Sequence, residues 1–145
     1  MSALTLEELA EKMRKIDLCM LSTKDVNGGV STRPMSNNGD VDYDGDSWFF
    51  SFEDTKKISA IAIDPNVSLS MSAAPSLLGK PGIFVAIEGT ASVSKDREAF
   101  RQHWVKDLDR WFTNGIDTPG LVLIKVHANR VEYWDGDTND VVSVD

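Results

Sequence analysis

Val67-Ser-Leu-Ser-Met-Ser72 alternates apolar and polar side chains without a break. A period of two sends every second side chain to one face, so this stretch has to be a strand with one packed face and one wet face. Similar signals recur along the chain. Ile16 to Thr23 is apolar in both registers, which predicts a strand buried on both faces inside a sheet or barrel. Asn27-Gly28-Gly29 is a hairpin turn, because Asn and Gly accept positive φ at little cost. Val30 to Ser36 is then the returning strand, and Pro34, which cannot donate to a ladder, places it at an edge or a bulge. Trp48 to Phe52, Ile83 to Val93, Leu121 to Val126 and Val131 to Trp134 complete the set, with Asn129 turning the chain between the last two.

Helices are short and inserted between strands. Thr5-Leu-Glu-Glu8 is a capping box, with Leu4 and Leu9 as its hydrophobic staple, and Leu6, Leu9, Met13 and Ile16 mark one helical face. Asp54 or Thr55 caps a helix that turns Ile58, Ile61 and Ala62 inward and ends at Asp64-Pro65. Ser94 caps another through Phe100 and Trp104, and a further short helix holds Leu108, Trp111 and Phe112 before Gly115. Strands dominate and no strand-helix alternation runs throughout. The fold class is therefore mainly β, an antiparallel β-barrel with peripheral helices rather than a doubly wound sheet. No repeat or linker divides residues 1–145, which read as one domain. The acidic tail from Asp135 to Asp145 reads as a solvated, partly ordered end.

Charge narrows the partners. Fifteen basic against twenty-three acidic residues give a net charge of -8, a surface that repels nucleic-acid backbones. Cys19 is the only cysteine, which excludes an internal disulfide and a multi-cysteine metal site; within an apolar run it reads as a packed thiol. No run has the length of a signal peptide or a membrane span, so a cytoplasmic protein without a membrane partner is expected. His103 and His127 have no companions at metal-ligand spacing. Asp40, Asp42, Asp44 and Gly45 begin like a calcium loop, but its closing position holds Ser51 instead of Glu, so a solvated hairpin is the better reading.

Arg33 sits in the middle of a strand, where a guanidinium usually meets water. Thr55-Lys56-Lys57 opens a helix, where cations oppose the helix dipole and free N–H groups point outward. Two lysines, a hydroxyl and a helix start form a phosphate cradle; taken alone, the group reads equally well as a solvated basic pair. If the second and third strands pair, Arg33 converges on the same helix and tips the balance toward a phosphate.

The succession Arg33-Pro-Met35, Trp48-Phe-Phe50, Thr55-Lys-Lys-Ile58 and Asp64-Pro-Asn-Val67 resembles the pyridoxamine 5′-phosphate oxidase-like FMN-binding split barrels. The stretches from Arg110 to Leu121 and from Val131 to Gly136 are similar to the bacterial general stress protein branch. The resemblance implies an antiparallel FMN-binding split barrel, with FMN lying between the subunits of a homodimer. It implies that Arg33, Lys56 and Lys57 meet the phosphate with Thr55 nearby. Met35, Ser36 and Asn37 would run along the isoalloxazine edge, Phe50 and Ser51 would line the pocket, and Trp134 would approach from the partner subunit. Two departures argue against pyridoxamine phosphate oxidase activity. Phe84 stands where those oxidases carry a flavin-binding Gln, and the chain ends in acidic residues instead of an Arg-rich substrate grip. What the resemblance leaves is a flavin-dependent oxidoreductase of unknown substrate, a non-catalytic flavin-binding or sensing protein, or a deazaflavin-dependent relative. No side chain stands out as a catalytic acid or base.

Overall fold

The computed structural model describes residues 4–36, 43–79 and 82–144. Leu6–Met13 forms α1. Its start is the capping box: the Glu8 N–H donates to Thr5 Oγ1 at 3.1 Å, and the Thr5 N–H donates to the Glu8 carboxylate at 3.0 Å. The chain continues as β1 (Leu18–Lys24), β2 (Val30–Ser36), β3 (Asp46–Phe52), α2 (Lys56–Ile63), β4 (Asn66–Ser72) and β5 (Phe84–Ser94). Then come α3 (Arg97–His103), two short 3-10 turns (Lys106–Arg110 and Gly115–Asp117), β6 (Leu121–Asp135) and β7 (Thr138–Val142).

All seven strands join one antiparallel sheet in the order β2-β1-β4-β5-β6-β3, with β7 beside β6. Leu21 of β1, Leu69 of β4, Ile87 of β5, Val131 of β6 and Phe49 of β3 share one core. The sheet therefore curls until both ends of its strand path reach the same interior, which makes a split barrel with β2 and β3 as its free edges. Each fully buried Leu or Ile there is worth about 1.5–3 kcal/mol. The Tyr133 hydroxyl, in the buried wall, accepts the Leu4 N–H at 3.0 Å and ties the N-terminal segment to β6. A second, smaller core forms on the outer face of β3 and β6, where Phe100, Phe112, Leu121 and Leu123 pack with Trp48, Phe50 and Trp104.

Several elements differ from the sequence expectation. β1 is buried on one face only: Cys19, Leu21 and Thr23 point inward, while Leu18 is 60% and Met20 38% exposed. The second and third strands do not pair. β2 pairs β1 alone, as Pro34 required of an edge, and β3 pairs β6. Asn129 is not a turn. β6 is one strand of 15 residues, and Asn129 is the extra residue of a bulge where Glu88 pairs Arg130 and Gly89 pairs Ala128. Gly89 is needed there, because a Cβ would come within 2.7 Å of the His127 carbonyl oxygen. The acidic tail supplies β7, anchored by buried Val142.

The helix details shift as well. Of the two expected caps, Asp54 and Thr55, Thr55 is the N-cap of α2, and Ala60 is buried where Ala62 was expected. Asp96 caps α3 by accepting the Glu98 N–H, while Ser94 accepts from Asp96. The segment with Leu108 is a 3-10 turn that ends with Trp111 exposed. Among the described residues no helix is long and apolar enough to cross a membrane.

Candidate functional site

Arg33 is half-buried rather than turned fully to water. It is the register partner of Leu21, so the two share the inward face of the β1-β2 hairpin. Its Nη1 donates to Thr23 Oγ1 at 2.8 Å and to the Leu21 carbonyl at 3.3 Å. Thr23 is itself buried, so the guanidinium is held by the barrel wall, and burial lowers its pKa. α2 packs on β1 and brings Lys57 to the same place. Burial first, and the Arg33 charge second, hold the Lys57 ammonium below its ordinary 10.5.

Two half-buried cations thus stand together, and neither pairs with a carboxylate among the described residues. Like charges gathered and partly desolvated oppose folding unless an anion joins them. A guanidinium fork beside an ammonium is the donor set of a phosphate site. The start of α2 adds to it. The Thr55 hydroxyl donates to the Phe52 carbonyl at 2.9 Å instead of capping, and no acidic residue lies in the first turn. The first N–H groups therefore have no side-chain acceptor. Lys56, by contrast, is exposed.

A cavity of about 580 Å³ opens between the two free edges, walled by Met35 and Ser36 of β2 and by Trp48 and Phe50 of β3, and closed over by His103 and Trp111. Arg33 and Lys57 do not line it. Met35 links the two, because it lies two residues from Arg33 on β2, about 7 Å along the strand. On the far wall the His103 imidazole lies on Trp48, with ring centroids 3.6 Å apart and planes 17° apart. Burial is the main cause that lowers the His103 pKa.

The remaining expected residues scatter. Phe50 and Ser51 do not line one pocket, because neighbours in a strand point to opposite faces. Phe50 meets Trp104 at 5.0 Å, whereas Ser51 is turned inward and buried. Trp134 pairs with Phe84 on the outer face, and both are exposed. Asn37 and the first part of the Asp40 to Asp46 loop lie outside the described residues. Thr23, Trp48 and His103 are additions. Trp48 and His103 are far apart in sequence, and no local pattern announces their stack.

The sequence matches the family described as pyridoxamine 5′-phosphate oxidase like over residues 5–144. The chain belongs to this family. Solved structures share its fold. A Clostridium acetobutylicum protein related to general stress protein 26 of B. subtilis superposes with a TM-score of 0.76 at 18% identity, over 94% of this chain and 92% of that one. General stress protein 26 from Bacillus anthracis str. Sterne gives 0.71 at 23% identity, over 94% and 98%. A heme-binding protein from Mycobacterium smegmatis gives 0.71 at 18% identity, over 100% of this chain and 64% of that one. At such identities the likeness carries the fold alone. No curated protein sequence matches at a significant level. For this pyridoxamine 5′-phosphate oxidase-like chain, the site has to be argued from its own residues.

Proposed function

We propose that this chain binds FMN as a homodimer and is a flavin-dependent oxidoreductase other than a pyridoxamine phosphate oxidase. The observation that carries the reading is the Arg33-Lys57 cluster, without a carboxylate partner among the described residues, at the start of α2 that has no side-chain cap; it fits a phosphate monoester. Arg33 and Lys57 would hold that phosphate, with Thr55 and Lys56 beside it. Met35, Ser36 and Asn37 would follow the ring edge into the cavity, where Phe50 forms part of the wall. Ser51, buried on the core face, is left out. Bound FMN would supply two-electron transfer, and the chain would supply binding, orientation and exclusion of water.

The outer face supports the dimer. Leu18, Met20, Phe84 and Trp134 are exposed on β1, β5 and β6, and a second copy would cover them and bring its Trp134 toward the site. The acidic end argues against an anionic substrate grip like that of the pyridoxamine phosphate oxidases.

The test is an absorbance titration of the purified protein with FMN, a phosphorylated deazaflavin and heme. Addition of NADH or NADPH to the complex follows. Retention of one FMN per chain through gel filtration, with bleaching by a pyridine nucleotide, supports the enzyme. Retention without bleaching by either nucleotide points to a flavin-binding or sensing role. Preference for the deazaflavin or heme overturns the choice of FMN.

A further inference from the structure

The cavity between the free edges extends past Met35 and Ser36 to a second wall. Its far wall is built differently from the phosphate end. His103 is stacked on Trp48 at 3.6 Å, and no described residue takes up its ring N–H or its lone pair. Trp111, 63% exposed, closes the same side under the Arg110 guanidinium, 5.5 Å from the ring. Arg110 is in turn neutralised by Asp107 at 3.3 Å. Arg14 and Asp17 line the cavity too, but the Trp48-His103-Trp111 wall itself is aromatic and its own ion pair, Arg110 with Asp107, is closed, so this wall favours flat and uncharged ligands over ions.

We infer that the Trp48-His103 wall is a subsite for a planar, uncharged aromatic molecule, the second reactant beside the flavin. Its role as a reactant site rests on the flavin reading above; its ligand chemistry does not. The groups acting on His103 fit. Burial lowers its pKa and Lys125 acts the same way, while Asp44 and Asp46 oppose them without reversing the result. At neutral pH the imidazole is uncharged and offers one donor and one acceptor to a hydroxyl or carbonyl on the bound ring.

The probe is naphthol, with naphthalenesulfonate as an anion of similar shape, each added to the protein with and without FMN. The chain has two histidines, so their imidazole NMR resonances are assigned with a His103→Ala variant. Naphthol is expected to move the His103 resonances and leave those of His127 in place. It should bind more tightly than the sulfonate, lose about five- to tenfold in affinity in His103→Ala, and bind more weakly as the pH falls below 6.5. Unmoved His103 resonances in the parent overturn the inference, and so does equal naphthol affinity in a His103→Ala protein that melts like the parent. FMN binding with His103 unmoved removes the subsite and leaves the flavin reading. Movement of His103 in a protein that fails to bind FMN does the reverse.

Discussion

Replacing Lys57 with Met keeps a stem of similar length and removes the charge. Without ligand, the like charge beside Arg33 disappears, so Lys57→Met is expected to melt no lower than the parent. With FMN the order inverts. At an FMN concentration about 100 times the parent's Kd, binding adds about 2.7 kcal/mol to its stability. A lost charge-assisted contact of about 1.5–3 kcal/mol weakens binding about ten- to a hundredfold. The same FMN then adds only about 1.4 to 0.4 kcal/mol to the variant. For 145 residues, at about 2.1 cal/mol/K of unfolding entropy per residue, the Tm should rise by about 9 °C in the parent and by about 5 to 1 °C in Lys57→Met. Melts followed by circular dichroism, with and without FMN, read both arms. Equal shifts in the two proteins would refute the cradle. A variant that loses stability without FMN would show Lys57 to be structural.

Trp134→Glu places a charge in the exposed apolar face of β5 and β6; sedimentation should show a dimer for the parent and a shift to monomer for the variant, and an unshifted dimer moves the interface elsewhere. Gly89→Ala puts a Cβ within 2.8 Å of Val126 Cγ1 and closer still to the His127 carbonyl, so its urea midpoint should report a loss of about 1–3 kcal/mol; an unchanged midpoint means that the bulge yields. Because the Lys57 pKa is lowered in the fold, the unfolded chain binds more protons between that value and 10.5. Stability of the ligand-free protein should therefore rise with pH across this window, and urea melts of Lys57→Met should show less of that rise.

The local grammar of the chain was readable. The Thr5 capping box, the bounds of β2 and the inward set Val67, Leu69 and Met71 follow from hydrogen-bonding chemistry and a period of two. The β1-β2 hairpin was announced by Asn27-Gly28-Gly29, but the other strand partners were not, because pairing between distant strands is a long-range choice that no local pattern encodes. Arg33 does meet Lys57, but through β1 and α2 rather than through a pairing of β2 with β3. Asn129 suits a turn and a bulge equally well, and only the register of β5 distinguishes them. Charge also misled at the tail, where acidic residues on the open face hid the single anchor Val142. Phe50 and Ser51 were separable in principle, since strand periodicity alone sends them to opposite faces. The Trp48-His103 stack joins an edge strand to the last residue of α3 and was invisible without the fold.

The central claim is that Arg33 and Lys57 hold the phosphate of a flavin. Fluorescence titration of the parent protein with FMN and with riboflavin tests it most directly, because the two ligands differ only in that phosphate. Two charge-assisted contacts of about 1.5–3 kcal/mol each predict FMN tighter than riboflavin by about a hundredfold or more. Equal affinity for the two would contradict the account and return Arg33 to a purely structural role at Thr23.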